Sequence, residues 1–516
     1  MTRPIKQLLI VGGGTAGWIT AGIIAAEHNA SSLDAIKITL IESPEVNTIG
    51  VGEGTWPTMR ATLETIGISE AELFKKCDAS FKQGSQFINW VDNSPTDNYY
   101  HPFVAPHGFG NCNHINAWQQ TAQNISFAHS TSFQPHLCDA GLAPKQKQTP
   151  EYAAVANYGY HLNATKFAQL LKEHCINRLG VQYISDHVCG INGDVNQDID
   201  SISTKNNGVI SADLFIDCSG SKSLLLGEHY KIPLLSQKDT LFNDSAIAIH
   251  LPYASADIPI ASHTISTAQS AGWIWDIALP NRRGIGYTYS SRHINEQDAI
   301  LTLTNYIKND IKNTIDVNTD LSFKKLSFEP GYRAKFWHKN CVAVGMSAGF
   351  LEPLEASALA LVELSAKMIS KELPVCQVIL PITAERFNKR FTYRWQRIIE
   401  FLKLHYVLSQ RTDSDYWLEN RHNSSIPSRL LELLTLWQYQ EPSFNDFTEI
   451  EEVFPAASYH YILYGMGFNT QIRESNRKCD DPLKVQQYLA EHQQLCRKYL
   501  SGLPSNRELI EHILCS

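Results

Sequence analysis

A chain of 516 residues, 43% of them hydrophobic, is long enough to build more than one core. Its net charge of -8 leaves no basic surplus for neutralising phosphates, and no apolar run approaches the roughly 20 residues that span a bilayer, so neither nucleic acid nor membrane is expected as a partner. Eleven scattered cysteines with no C-x-x-C pair read as reduced thiols, and the N-terminus passes from two charges into a strand without an export signal, so a cytoplasmic protein is expected.

The first element is a buried strand, Leu8 to Val11, inside "KQLLIVGGGTAGWITAGIIAAE". Gly12, Gly14 and Gly17 follow it as G-x-G-x-x-G, and a helix rich in Ala and Ile begins at once. In that order the glycines permit a tight turn, close approach of backbone to a pyrophosphate, and close contact of helix with strand, while the phosphates sit at the helix N-terminus near Thr15 and Ala16. The next strand, "AIKITLIE", ends in Glu42, where an acid can hydrogen-bond an adenosine ribose hydroxyl. Strand, fingerprint, helix, strand and acid together predict a dinucleotide site. Only one full fingerprint occurs, so a second, tightly held NADPH is not expected.

Further along, "SFKQGSQFINW" (Ser80 to Trp90) reads as one strand, placing Lys82 on a face with Gly84, Gln86, Ile88 and Trp90. That is an odd setting for a charge that only seeks water, although an edge-strand lysine could snorkel. The segment from His101 to Cys138 holds His101, His107, Cys112, His114, His129, His136 and Cys138, but its spacings match no usual zinc pattern; these read as loop histidines, and no metal is expected. "GVQYISDHVCGINGDVNQDIDSISTKNNGVI" reads as a β-meander, and "SADLFIDCSGSKSLL" as an apolar strand returning to the cofactor through a Gly-Ser turn, which favours FAD over NAD.

In "GWIWDIALP" (Gly272 to Pro280), Trp273, Trp275, Ile277 and Leu279 share one strand face, and "PNRRG" turns the chain into "IGYTYSS" to complete a hairpin. On spacing alone that face could equally be core. "CVAVGMSAGFLEPLEASALALVELSAKMI" reads as a buried strand, a Gly-Ser loop and a helix beginning near Glu355, whose free amides would suit an anion. Glu355 could also simply complement the helix dipole. "GMSAG" there matches G-x-S-x-G, but Pro353 marks a later helix start than a serine-hydrolase elbow requires. Beyond Lys371 the chain turns to long, aromatic-rich helical stretches.

Taken in order, "GGGTAGW", "IGVGEGTWPTM" (Ile49 to Met59), "SFKQGSQFINW", "YHLNATKFAQLL" (Tyr160 to Leu171), "GWIWDIALP" and "GFLEPLEASALAL" (Gly349 to Leu361) resemble the flavin-dependent tryptophan halogenase family, in its order, across residues 1 to about 410. The resemblance implies an α/β fold: an FAD-binding Rossmann-like domain of the aromatic-hydroxylase-like kind, a β-sheet substrate region and a helical C-terminal cap. The expected division is a core over 1–380, with insertions at about 96–150 and 236–330, and a helical substrate-capping module over 381–516.

The same resemblance implies site residues. FAD contacts fall on Gly12, Gly14, Thr15, Ala16, Gly17, Glu42, Gly50, Val51, Gly52, Gly345 and Leu354. The W-x-W-x-I-P signature corresponds to Trp273, Trp275 and Ile277, with Ala278 replacing proline; in the family these indoles keep organic substrate from the flavin. Lys82 corresponds to the essential lysine that carries hypohalous acid or a haloamine to the substrate, and Glu355 to the glutamate facing it. The residues after that glutamate usually read Ser-Thr-Gly and here are Ala356, Ser357 and Ala358, so the halide amides would come from Ser357 and Ala358. Tyr459 and His460 occupy the places of the paired tyrosines that help bind free tryptophan, where the match is loose.

The function so implied is an FADH2-dependent halogenase that uses O2 and chloride or bromide, is fed by a separate flavin reductase, and acts on an indole-like or other electron-rich aromatic, free or within a peptide. A homodimer is left open. The alternatives are a flavin-dependent aromatic monooxygenase, which would need substrate where the two indoles stand, and a flavin-binding relic silenced at Ala278 and Ala356.

Overall fold

In the computed structural model, which describes residues 4–28, 36–46, 50, 53–121, 125–316, 321–471 and 481–516, the chain forms two compact units, each assembled from three segments. The first comprises residues 1–79, 162–237 and 328–395, the second residues 80–161, 238–327 and 396–516.

The first unit is built on a six-stranded sheet. Five strands are parallel, in the order Gln182–Ser185, Lys37–Glu42, Gln7–Val11, Leu214–Asp217 and Cys341–Ala343, and Trp337–His338 closes one edge antiparallel. Leu8, Leu9, Ile10 and Val11 are all buried, as a central parallel strand covered on both faces demands. The helix Thr15–Glu27 lies against the helices Ala164–Leu179 and Ser357–Lys371, so every residue from Gly17 to Ala25 is buried. The meander is three antiparallel strands, Val188–Asn192, Ser201–Thr204 and Val209–Ser211. Its expected first strand, Gln182–Ser185, instead joins the parallel sheet.

The second unit is built on a seven-stranded sheet: Lys324–Ser327, Ser245–Pro252, Arg282–Tyr289, Gly272–Ala278, Thr264–Gln269, Gly84–Ile88 and Asn98–Pro102. One face packs on the helix Glu296–Asn309, with Ile247, Ile249, Ile274, Ile285 and Tyr287 meeting Ala299, Leu303 and Ile307. The C-terminal part is helical: Asp415–Asn420, Ser428–Trp437, Ala456–Gly465, Pro482–Gly502 and Asn506–Cys515 follow the 28-residue helix Leu380–Val407, within which the division between units falls. Among the described residues no helix is long and apolar enough to cross a membrane.

Two expectations are corrected here. "SFKQGSQFINW" is two strands, not one: Ser80–Lys82 pairs antiparallel with Gly159–Leu162, whereas Gly84–Ile88 joins the large sheet. The break occurs because Gly84 takes φ +151°, where a Cβ would stand 2.5 Å from the His101 carbonyl oxygen. The histidines of the 101–138 segment are mostly not in loops: His101 is on the strand Asn98–Pro102, and His114, His129 and His136 are on the short helices His114–Thr121, Phe127–Thr131 and Gln134–Asp139.

Candidate active site

The glycine fingerprint has the geometry of a dinucleotide cradle. At Gly12, φ is +118° and a Cβ would lie 2.1 Å from the Cys218 carbonyl oxygen; at Gly17 it would lie 2.0 Å from the Gly12 carbonyl oxygen. The turn, the fingerprint helix and the end of the Leu214–Asp217 strand therefore close on one another with no room for side chains. Gly14, the N-cap of that helix, has nothing within 4 Å of its Cβ direction and offers no side-chain cap. The first-turn amides at Thr15, Ala16 and Gly17 are thus left to an anion, and FAD, through its pyrophosphate, fits this cradle. Gly345 abuts the same turn, 2.7 Å separating its Cβ position from Ala16 Cβ. Val51 and Gly52 lie outside the described residues, and Gly50 rests against Thr165.

Glu42 ends its strand beside the cradle, its side chain lying against Gly13. Its carboxylate accepts a 3.0 Å hydrogen bond from Lys172 Nζ, which also bonds the Tyr183 hydroxyl and sits 4.0 Å from that ring's centre. Asp217, which sequence reasoning missed, is fully buried at the end of the neighbouring strand. Its carboxylate accepts from the Ser219 and Ser223 hydroxyls and from the amides of Ser219, Leu225 and Leu226, locking the Gly-Ser turn. The signal was present as a lone acid ending the apolar run "LFID", since a buried carboxylate needs several donors.

Around Glu355 the helix starts later than expected. Residues Leu354–Ala356 form a single tight turn and the α-helix runs Ser357–Lys371, because Glu355 (φ 63°) and Ala356 (φ 55°) are both left-handed. Each such non-glycine residue costs about 1 kcal/mol, and strain of this kind persists only where surroundings over-determine it. Here the Trp56 indole donates its N–H to the Glu355 carbonyl at 2.7 Å, and Leu354 is fully buried. With Ala356 as N-cap no side chain caps the helix, which leaves the amides of Ser357 and Ala358 to an anion. Two turns on, the Thr58 and Thr62 hydroxyls donate to the buried Glu363 carboxylate, tying the helix Thr58–Ile66 to this one; burial pushes the Glu363 carboxyl up to about 7. Ser347 of the G-x-S-x-G lookalike is buried, its hydroxyl directed at the Asp217 and Val344 carbonyls, so it is no nucleophile elbow.

In the second unit, Lys82 is 1% exposed, its Nζ 5.5 Å from the centre of the Phe103 ring. His161, across the strand pair opposite Ser80, is fully buried, and its imidazole is held well below its ordinary pKa first by burial and then by the Lys82 charge. Its Nε2 lies 2.8 Å from the Thr264 hydroxyl. The strand bearing Lys82 is tied to the indole strand, since the Ser80 hydroxyl donates to the Ala278 carbonyl at 2.5 Å. His161 stood in a quoted motif, but only the pairing of two short strands brings it to the lysine.

The indole strand alternates as read. Ile274 and Asp276 face the helix Glu296–Asn309, where Asp276 pairs with Arg283 and accepts from the Tyr306 hydroxyl. Trp273, Trp275 and Ile277 take the other face and are buried. The two indoles meet edge to face at 6.3 Å, and Trp90 lies 6.3 Å from Trp273. The Trp275 ring covers Gly286 of the adjacent strand so closely that a Cβ there would be 2.0 Å from Cζ2. A two-residue turn at Pro280 and Asn281, closed by the Leu279 amide on the Arg282 carbonyl, completes the hairpin without a proline at Ala278.

Tyr459 and His460 lie on the helix Ala456–Gly465, buried on every side. Tyr459 is enclosed by Phe401, Trp437 and Phe447, with ring centres 4.9 to 5.2 Å away. His460 Nε2 lies 2.8 Å from the Pro442 carbonyl, and burial pushes its imidazole down to about 4.

Comparison with known proteins agrees with this geometry. The chain is 30% identical over 487 residues to the tryptophan 6-halogenase SttH of Streptomyces toxytricini, covering 90% of each chain. It is 31% identical over 438 residues to the tryptophan 7-halogenase RebH of Lentzea aerocolonigenes, covering 82% of this chain and 80% of that one. The crystal structure of a tryptophan halogenase from Shewanella frigidimarina superposes with a TM-score of 0.94 at 50% identity, covering 99% of this chain and 98% of the other. With the tryptophan halogenase family profile matching residues 7–481, the chain belongs to that family and is a flavin-dependent halogenase.

Proposed function

We propose that Lys82 carries the halogen to an indole-like or other electron-rich aromatic, and that a separate flavin reductase supplies the FADH2. The observation that carries this reading is the burial of Lys82 beside His161. Burying a lysine side chain costs several kcal/mol, a cost that a surface lysine would avoid.

Residues Gly12, Gly14, Thr15, Ala16, Gly17 and Gly345 would hold FAD, with Glu42 toward the ribose. Reduced FAD bound there supplies, with O2, the two-electron oxidation of halide to hypohalous acid. The amides of Ser357 and Ala358 would hold the halide. Lys82 Nζ holds the hypohalous acid by hydrogen bond, or takes the halogen as a haloamine with loss of water, and so aims it at one ring carbon. Glu355 removes the proton that the substituted carbon must lose. Trp273 and Trp275 exclude the organic substrate from the oxidising end, and confinement gives the reagent its selectivity. Tyr459 and His460, enclosed by Phe401, Trp437, Phe447 and the Pro442 carbonyl, support the pocket wall through packing.

The test is Lys82→Ala with reductase, FAD, bromide and an indole panel. Halogenated product should vanish while O2-dependent oxidation of FADH2 and peroxide release continue. Product at the wild-type rate would remove Lys82 from the mechanism.

A further inference from the structure

The fold gathers a cluster that the halogenation chemistry does not use. His492 and Cys496 are one turn apart on the helix Pro482–Gly502, so both project from one face, and His136 on the helix Gln134–Asp139 meets them. One side-chain donor atom of each lies within 4.8 Å of the others, and Cys496 Sγ is 3.4 Å from His492 Nε2. Thiolate and imidazole bound to one tetrahedral zinc stand about 3.5 Å apart, given Zn–S near 2.3 Å and Zn–N near 2.0 Å.

We propose that His136, His492 and Cys496 form a zinc site that fastens the Pro482–Gly502 helix to the Gln134–Asp139 helix, with solvent as fourth ligand. Two further observations favour this. The imidazoles are already oriented by backbone, as ligand histidines are: His136 Nε2 lies 2.9 Å from the His129 carbonyl, leaving Nδ1 for the metal, and His492 hydrogen-bonds the backbone of Ser132. Finally, the apolar contact that fixes this helix pair is small: Phe133, Leu137, Ala156, Cys496 and Leu503, with Val104, Leu142, Leu495 and Tyr499 at its edge. A metal clip would add to it substantially. The ligand set of two imidazoles and a thiolate suits zinc, and hard magnesium or calcium would be rejected.

The experiment uses the full chain, tag removed, stripped with a chelator and titrated with Co2+ as a spectroscopic stand-in for zinc. The expected result is one equivalent bound, with tetrahedral d–d bands and a thiolate-to-cobalt charge-transfer band that zinc displaces. In Cys496→Ser the charge-transfer band should be lost, and His136→Gln, at a half-buried position, should weaken binding at least tenfold. Zinc should also raise the thermal midpoint of the wild type and leave that of Cys496→Ser unchanged. Failure of the wild type to bind Co2+, binding without a charge-transfer band, or a band that persists in Cys496→Ser would each overturn the proposal.

Discussion

Single atoms decide what two of the site's positions can tolerate. At Gly286 the Trp275 ring occupies the space a Cβ would need, so Gly286→Ala must displace the indole or bend the strand. Forcing a methyl into a packed site costs roughly 1–3 kcal/mol. The expected outcome is a lower denaturant midpoint with unchanged slope; a midpoint equal to wild type would mean the ring does not lie over Gly286. Trp56→Phe is subtler. It keeps an aromatic ring but removes the donor to the Glu355 carbonyl, a bond worth about 1 kcal/mol. Because two consecutive left-handed residues depend on it, we expect FAD affinity to be unchanged while product formed per FADH2 oxidised falls several-fold. Unchanged coupling would mean that packing alone holds Glu355.

Between helices, the buried Glu363 makes the Ser357–Lys371 contact with Thr58–Ile66 sensitive to pH. Its folded pKa is raised from 4.5 to about 7, so its contribution to stability is fully present below pH 4.5 and lost as pH rises to about 7. The change amounts to roughly 3 kcal/mol across that window. Glu363→Gln should therefore flatten the fall in stability between these pH values relative to wild type, as read by denaturation at several pH values; parallel curves would show that Glu363 ionises normally. At this scale the sequence was readable wherever a local rule decided the outcome. The fingerprint glycines, the cradle helix and the alternation of Trp273 and Trp275 against Ile274 and Asp276 all follow from backbone permissiveness and period-two burial. The break at Gln83 and Gly84 was not readable, because it depends on the His101 carbonyl approaching from another strand. Nor was the left-handed pair at Glu355 and Ala356, for neither residue is glycine and the partner that stabilises them is Trp56, some 300 residues earlier. His136, His492 and Cys496 carry no recognisable spacing for the same reason.

For the molecule as a catalyst, the substrate is decided by which polar groups it buries. A site for free tryptophan must pair both an ammonium and a carboxylate, and an unpaired buried charge costs several kcal/mol. Tyr459 and His460 are enclosed by aromatic rings and the Pro442 carbonyl, so we expect kcat/KM to favour indole, or a tryptophan side chain without its free amino-acid end, over free tryptophan. Competition assays with bromide check this; a higher kcat/KM for free tryptophan would require another set of residues to bind the amino-acid end.

The alternation of three segments in each unit has a consequence for biogenesis. The chain passes from one unit to the other five times, so the first unit receives its last segment only when residue 395 has been made, and the second only at the C-terminus. No single cleavage separates them, and the second unit cannot finish folding until the whole of the first has been made. A nascent chain must therefore carry the parallel sheet of the first unit without its Cys341–Ala343 strand, and the seven-stranded mixed sheet of the second without Lys324–Ser327, for most of its synthesis. During that interval unpaired strand edges are exposed, and edge-to-edge association competes with their completion.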